Sequence, residues 1–211
     1  MRRWRRVTAR EPVDPCRPAR YAHPLTGRDP TAGPPSTQES TVDSIALLKT
    51  ALDASHRWYL GTVDGLTEAQ ANFVPPGTAH PIGELAAHIL QSEDGIVNML
   101  QGQPPLWVRD GWGERLGLPM VMRQDPEVAR AFRCQPGDLA DYGQAVYANT
   151  EAFLSGLRPD DLDRDVDLSA MGIGTVKLGY VLTGMLLGNT FAHTGEISAL
   201  KGVQGLRGYP F

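Results

Sequence analysis

Two histidines, an asparagine and a glutamate carry the spacing in this chain that could do chemistry. Asn189, His193 and Glu196 follow one another at intervals of four and three, and His88 stands in a separate apolar stretch with Glu84 four residues before it. Residues three and four apart share one face of an α-helix. On a 3.6-residue period Leu178, Leu182, Met185, Asn189, His193, Glu196 and Leu200 form one line, whose apolar ends mark it as a face the helix buries. A buried polar group without a partner costs about 1–3 kcal/mol. Three in successive turns therefore predict a common partner: one another, an ordered water or a metal ion.

Imidazole nitrogen is a good donor to zinc, nickel, iron or copper, and a carboxamide oxygen is a poorer one. Two ligands one turn apart on one helix, with a third from a facing helix, is a common construction for metal sites in helical bundles. The candidate ligands are His88, Asn189 and His193. Glu196 is placed to bond the second nitrogen of an imidazole and fix its tautomer. The residues alone leave an equal alternative, a buried Asn–His–Glu network that only specifies helix register. Of the other histidines, His80 precedes Pro81 in a loop and reaches a shared ligand only if that loop folds back. His56 is expected on the solvated side of its helix, and His23 lies in the N-terminal arm.

Four helical patterns position these residues. Ile45, Leu48, Leu52 and Tyr59 mark the first, and Pro81 suits the first turn of the second, whose apolar line is Ile82, Leu85, Ile89, Ile96 and Leu100. Leu139, Tyr142, Val146, Phe153 and Leu157 mark the third; the fourth is expected from about Val176 to Lys201, with Gly202 and Gly205 as its stop. No segment alternates with period two for long, so the expected fold class is all-α, a four-helix bundle. The connection from Gly102 to Asp138 exceeds the usual bundle turn of about 2–8 residues. It is expected to cross the bundle, and Trp107, Trp112, Met120 and Met122 make it either a packed loop or a lid over a pocket.

Charge separates the chain into two parts. Residues 1–40 hold eight arginines against four acids, net +4, which leaves −8 for the rest of a chain whose total is −4. With seven of the 17 prolines and no apolar run, this extension is expected to be disordered. It also lacks the apolar segment of a secretory signal. Residues 41–211 suffice for one domain with a sizeable core. Their acidity argues against nucleic acid as the main partner, and no apolar run reaches the ~20 residues that cross a bilayer. Cys16 and Cys134 form no metal-binding or disulfide pattern, and a cytoplasmic location is expected.

The stretches Gly77-Thr-Ala-His-Pro-Ile-Gly-Glu-Leu-Ala-Ala-His88-Ile-Leu and Asn189-Thr-Phe-Ala-His193-Thr-Gly-Glu-Ile resemble the DinB-like superfamily, over residues 41–211. The resemblance implies a four-helix bundle with a divalent metal (Zn, Ni or Fe) near one end. His88 matches the first ligand and His193 the last. Asn189 stands where the family usually has histidine, or glutamate in the branch of mycothiol-dependent maleylpyruvate isomerases, and an amide there weakens metal affinity. The metal implied is a Lewis acid that activates a low-molecular-weight thiol or a water. The implied function is a thiol-dependent transferase or a metal-dependent hydrolase, whose substrate enters between helix ends beneath the Trp107–Trp112 loop. The alternative is a non-catalytic binding or oligomerisation module with a degenerate metal site. The expected partners are a small-molecule substrate or a low-molecular-weight thiol, with a homodimer left open and neither nucleic acid nor membrane.

Overall fold

The computed structural model describes residues 43–120 and 126–211. The arginine-rich extension 1–40, with Cys16 and His23, lies outside the described residues, as does Met122. Four long helices make the frame: α1 (Ser44–Val63), α2 (Ile82–Leu100), α3 (Ala140–Ser155) and α4 (Gly188–Val203). The fold is all-α in class, as the apolar periods predict. Asp43 caps α1, accepting from the Ile45 and Ala46 amides, which otherwise lack partners at a helix start. One side of α1 then buries Ile45, Leu48, Leu52, Ser55, Tyr59 and Thr62 at alternating intervals of three and four.

Helix α2 is the most enclosed element, buried on almost every side along its middle. It packs on α3 and α4, and α1 packs on the same two helices. The core has two clusters. Tyr59, Ile82, Leu85, Ile89, Leu90, Trp107, Tyr142 and Ile197 fill one. Leu48, Leu52, Ile96, Val97, Leu154, Leu178, Leu182 and Leu186 fill the other. Each fully buried side chain of this size contributes about 1.5–3 kcal/mol, so these two clusters hold the helix faces that the sites depend on.

The connection between α2 and α3 is a series of short helical turns, at Leu106–Arg109, Trp112–Leu116, Pro126–Ala131 and Pro136–Leu139. A buried carboxylate ties its start to the bundle. Asp94 of α2 accepts from the Leu106 amide through Oδ1 and the Trp107 amide through Oδ2, both at 2.8 Å. Trp107 and Trp112 then pack against Tyr142, with ring centroids 4.9 and 5.7 Å away. The described part of the segment packs on the core through these rings.

Two features depart from the sequence reading. Asp165–Asp167 (β1) and Thr175–Lys177 (β2) pair antiparallel, Val166 opposite Val176, so Val176 is in a strand and the fourth helical segment begins at Leu178. Gly172 and Gly174 stand between the strands at φ of 74° and 86°, backbone that favours glycine. The second departure is a π-helical stretch at Val181–Leu187, directly before α4. A π turn takes more residues than an α turn. From Leu186 onward the buried residues along this side are Leu186, Thr190, Thr194, Ile197, Leu200 and Lys201; Leu200 is buried as the 3.6-residue line predicts, and the others stand one residue later than that line. One residue is about 100° of rotation. Asn189, His193 and Glu196 consequently lie along the edge of the buried face and not at its centre.

Candidate metal centre

Four polar residues run along α2 and its approach at intervals of four: His80, Glu84, His88 and Ser92. Opposite them, α4 presents Asn189, His193 and Glu196. Because α2 and α4 pack together, the two lines meet. The His88 and His193 rings lie edge to face, centroids 4.7 Å apart and planes at 84°. His88 Nε2 is 3.3 Å from Ser92 Oγ. The His193 Nδ1–H donates to Glu196 Oε2 at 2.9 Å, which leaves Nε2 as the other donor atom of that ring. A carboxylate on one ring nitrogen of this kind fixes the tautomer of an imidazole.

Two cavities adjoin this pair, and His193 borders both. One, of about 420 Å³, is lined by His88, Ser92, Met171, Met185, Asn189 and His193. All three candidate ligands therefore face a single space. The second, of about 460 Å³, is lined by His80, Leu85, His193, Glu196, Ala199 and Leu200. Neither contains Trp107 or Trp112, so the expected entry beneath the tryptophan loop is not how these cavities are built.

Several residues stand elsewhere than the sequence places them. Glu196 is not buried: its side chain is 56% exposed, and it meets His193 from the solvent side. The approach to α2 does bring His80 close, as its Nδ1–H donates to Glu84 Oε2 at 2.9 Å. Glu84 is nearly enclosed, 2% exposed. Burial pushes its carboxyl above the usual range, His80 and then His193 pull it back, and Glu196 adds to the rise. His56 is not on a solvated side. It is largely buried, bonded to Glu93 Oε2 at 2.9 Å and stacked on Tyr147 with centroids 3.9 Å apart. The His80–Glu84 pair and Ser92 were missed as site residues, although their spacing of four around His88 is a signal the sequence carries.

The donor chemistry suits a divalent metal in part. Two imidazoles at contact distance and one amide face the same cavity, while among the described residues no cluster of three or more His, Cys, Asp and Glu side chains is arranged to hold a metal ion. A ligand set here would have to consist of His88, His193 and the Asn189 oxygen, with its remaining positions open. No helix among the described residues is long and apolar enough to cross a membrane.

Comparison with known proteins gives a family match and a likeness to solved structures. Residues 51–197 match the family model of the DinB superfamily. A solved structure, described as a conserved protein from Enterococcus faecalis, superimposes with a TM-score of 0.66 at 23% identity. The match covers 77% of this chain and 98% of that one, and it establishes likeness of fold. No curated protein matches the sequence.

Proposed function

The chain belongs to the DinB superfamily, and from that premise we propose that it binds one divalent transition metal through His88 and His193, with the Asn189 amide as a weaker third ligand. The single observation that carries this reading is the pairing of His88 and His193, ring against ring at 4.7 Å, on a cavity they share with Asn189. A metal held there supplies Lewis acidity that favours the deprotonated form of a thiol or a water. The reaction class that suits this is thiol-dependent transfer or hydrolysis on a small molecule.

The chain's own residues have separable parts in that proposal. Glu196 keeps the Nδ1–H of His193 occupied, so His193 would ligate through Nε2. Ser92 borders the His88 ring and the cavity. In the adjoining cavity His80, braced by the buried Glu84, could hold or move a proton close to His193.

Metal content of untagged full-length protein after equilibrium dialysis against Zn²⁺, Ni²⁺ or Fe²⁺ tests the proposal. Wild type should retain about one metal per chain, His193→Ala none, and Asn189→His should bind more tightly. Equal content in wild type and His193→Ala would contradict it. No retained metal in any form would leave the non-catalytic bundle as the reading.

A further inference from the structure

The cavity that His88, Asn189 and His193 share is a groove with two unlike ends. Its two helical walls run in opposite directions: Leu85 lines the adjoining cavity with Leu200, whereas Ile96 lines this one with Gly184 and Met185. The two histidine rings stand at one end. Eight residues along α2, about 12 Å of helix rise, Ile96 stands at the other. Met185 of the π-helical stretch joins it there, with Met171 from the turn between β1 and β2. Between the ends lie Asn189 and two residues, Gly188 and Ala192, whose side chains are too small to fill the groove.

The lining can be reached from outside. Its residues are half-buried or exposed except Ser92 and Ile96, each 6% exposed. No Asp, Glu, Lys or Arg lines it, whereas Glu196 borders the adjoining cavity. An uncharged wall offers nothing to offset the desolvation of a charged group. The volume, about 420 Å³, lies in the ~300–1,000 Å³ range of small-molecule sites. The far end is thioether and isoleucine, apolar, and methionine adapts its shape to what lies against it. The Asn189 carboxamide, half-buried beside the histidines, makes no hydrogen bond within the described residues. It therefore has both donors and an acceptor to offer in the groove.

We propose that this groove takes the substrate of the metal centre, an uncharged molecule with a hydrogen-bonding head at Asn189 and an apolar tail lying toward Met171, Met185 and Ile96. The inference rests on the proposed function only in calling the occupant a substrate. The groove itself is built from protein alone, so its test needs no metal.

Octanamide has the required chemistry and is the probe, titrated with chelator into the full-length chain carrying methyl-labelled methionine. Acetamide supplies the head alone, and ω-aminooctanamide the same chain ending in a cation. By NMR, octanamide should shift the Met171 and Met185 methyl resonances. It should leave in place those of Met99 and Met120, which line neither histidine cavity. Acetamide should move none of these four, and ω-aminooctanamide should bind about 10-fold more weakly than octanamide. Asn189→Ala should weaken octanamide about 5-fold, the loss of one hydrogen bond, and alanine there favours the helix. Met185→Ala should weaken it by a similar factor through lost apolar contact.

Absence of Met171 and Met185 shifts at millimolar octanamide would overturn the proposal, as would equal shifts at Met99. So would octanamide affinity unchanged in either variant, or a cationic chain that binds as tightly. Octanamide shifts in a chain that retains no divalent metal would support the groove and contradict the metal centre. Metal retained through His88 and His193 without these shifts would do the reverse.

Discussion

Helix α2 carries two sets of polar side chains that are treated in opposite ways. Asp94, buried beside the start of the long connection, places both oxygens on protein donors. Oδ1 accepts from the Leu106 amide and Asn98 Nδ2, and Oδ2 accepts from the Trp107 amide and the Tyr142 hydroxyl. Glu93 does likewise with His56 and Thr150. The line His80, Glu84, His88 and Ser92 instead runs past two cavities: His80 lines one, and His88 and Ser92 line the other. Burial alone does not separate structure from function here, since Asp94 and Glu93 are more enclosed than any of the three candidate ligands. The informative difference is whether the side chains line these cavities: His80, His88 and Ser92 do, and Asp94 and Glu93 do not.

That difference can be broken in order of expected effect. Asp94→Ala leaves two amides, a hydroxyl and a carboxamide without their acceptor, and should cost about 3–5 kcal/mol by denaturant melts. A loss under about 1 kcal/mol would show that water replaces the carboxylate and that the Trp107 segment is not held by it. Glu93→Gln turns an acceptor toward a donor, and should cost about 1–3 kcal/mol in the same measurement. On the other face, Glu196→Gln should leave stability within about 0.5 kcal/mol. It should weaken metal affinity about 10–100-fold. Equal loss of stability with and without chelator would move Glu196 to the structural set.

The smallest effect concerns Cys134, which belongs to the enclosed region. Burial, with Asp138 adding, pushes its thiol up to about 12, against about 8.5 for an unfolded cysteine. A raised value in the fold favours the protonated thiol. Its contribution is therefore complete below about 8.5 and is lost as pH rises from there toward about 12. In a Cys16→Ser background, Cys134 should resist a thiol reagent at pH 8 in the native chain and react at once in guanidinium. Prompt native reaction would show that the site opens.

How much of this was legible follows from the range of the contacts involved. Asn189 and His193 could be picked out because an interval of four on a helix is local geometry, whereas His88 stood out as a ligand only through the resemblance of its segment to the family. The edge position of Asn189 and Glu196 could not be read, because the π stretch at Val181–Leu187 is composed of ordinary apolar and small residues. It moves the buried line by one residue without a sequence signal such as proline. Asp94 was equally silent, since three of its partners lie 12, 13 and 48 residues away and only Asn98 is a helical turn off. His56 was misplaced for the same reason: its partner Glu93 is 37 residues distant. The short β1–β2 pairing has only three residues per strand, too few for alternation to register.

Anomalous diffraction from crystals of the full chain grown with Zn²⁺ tests the central claim most directly. The account predicts one peak per chain, about 2.0–2.1 Å from an imidazole nitrogen of both His88 and His193, and its disappearance in His193→Ala. A peak bound by only one of the two histidines, or none beside them at saturating zinc, would contradict it.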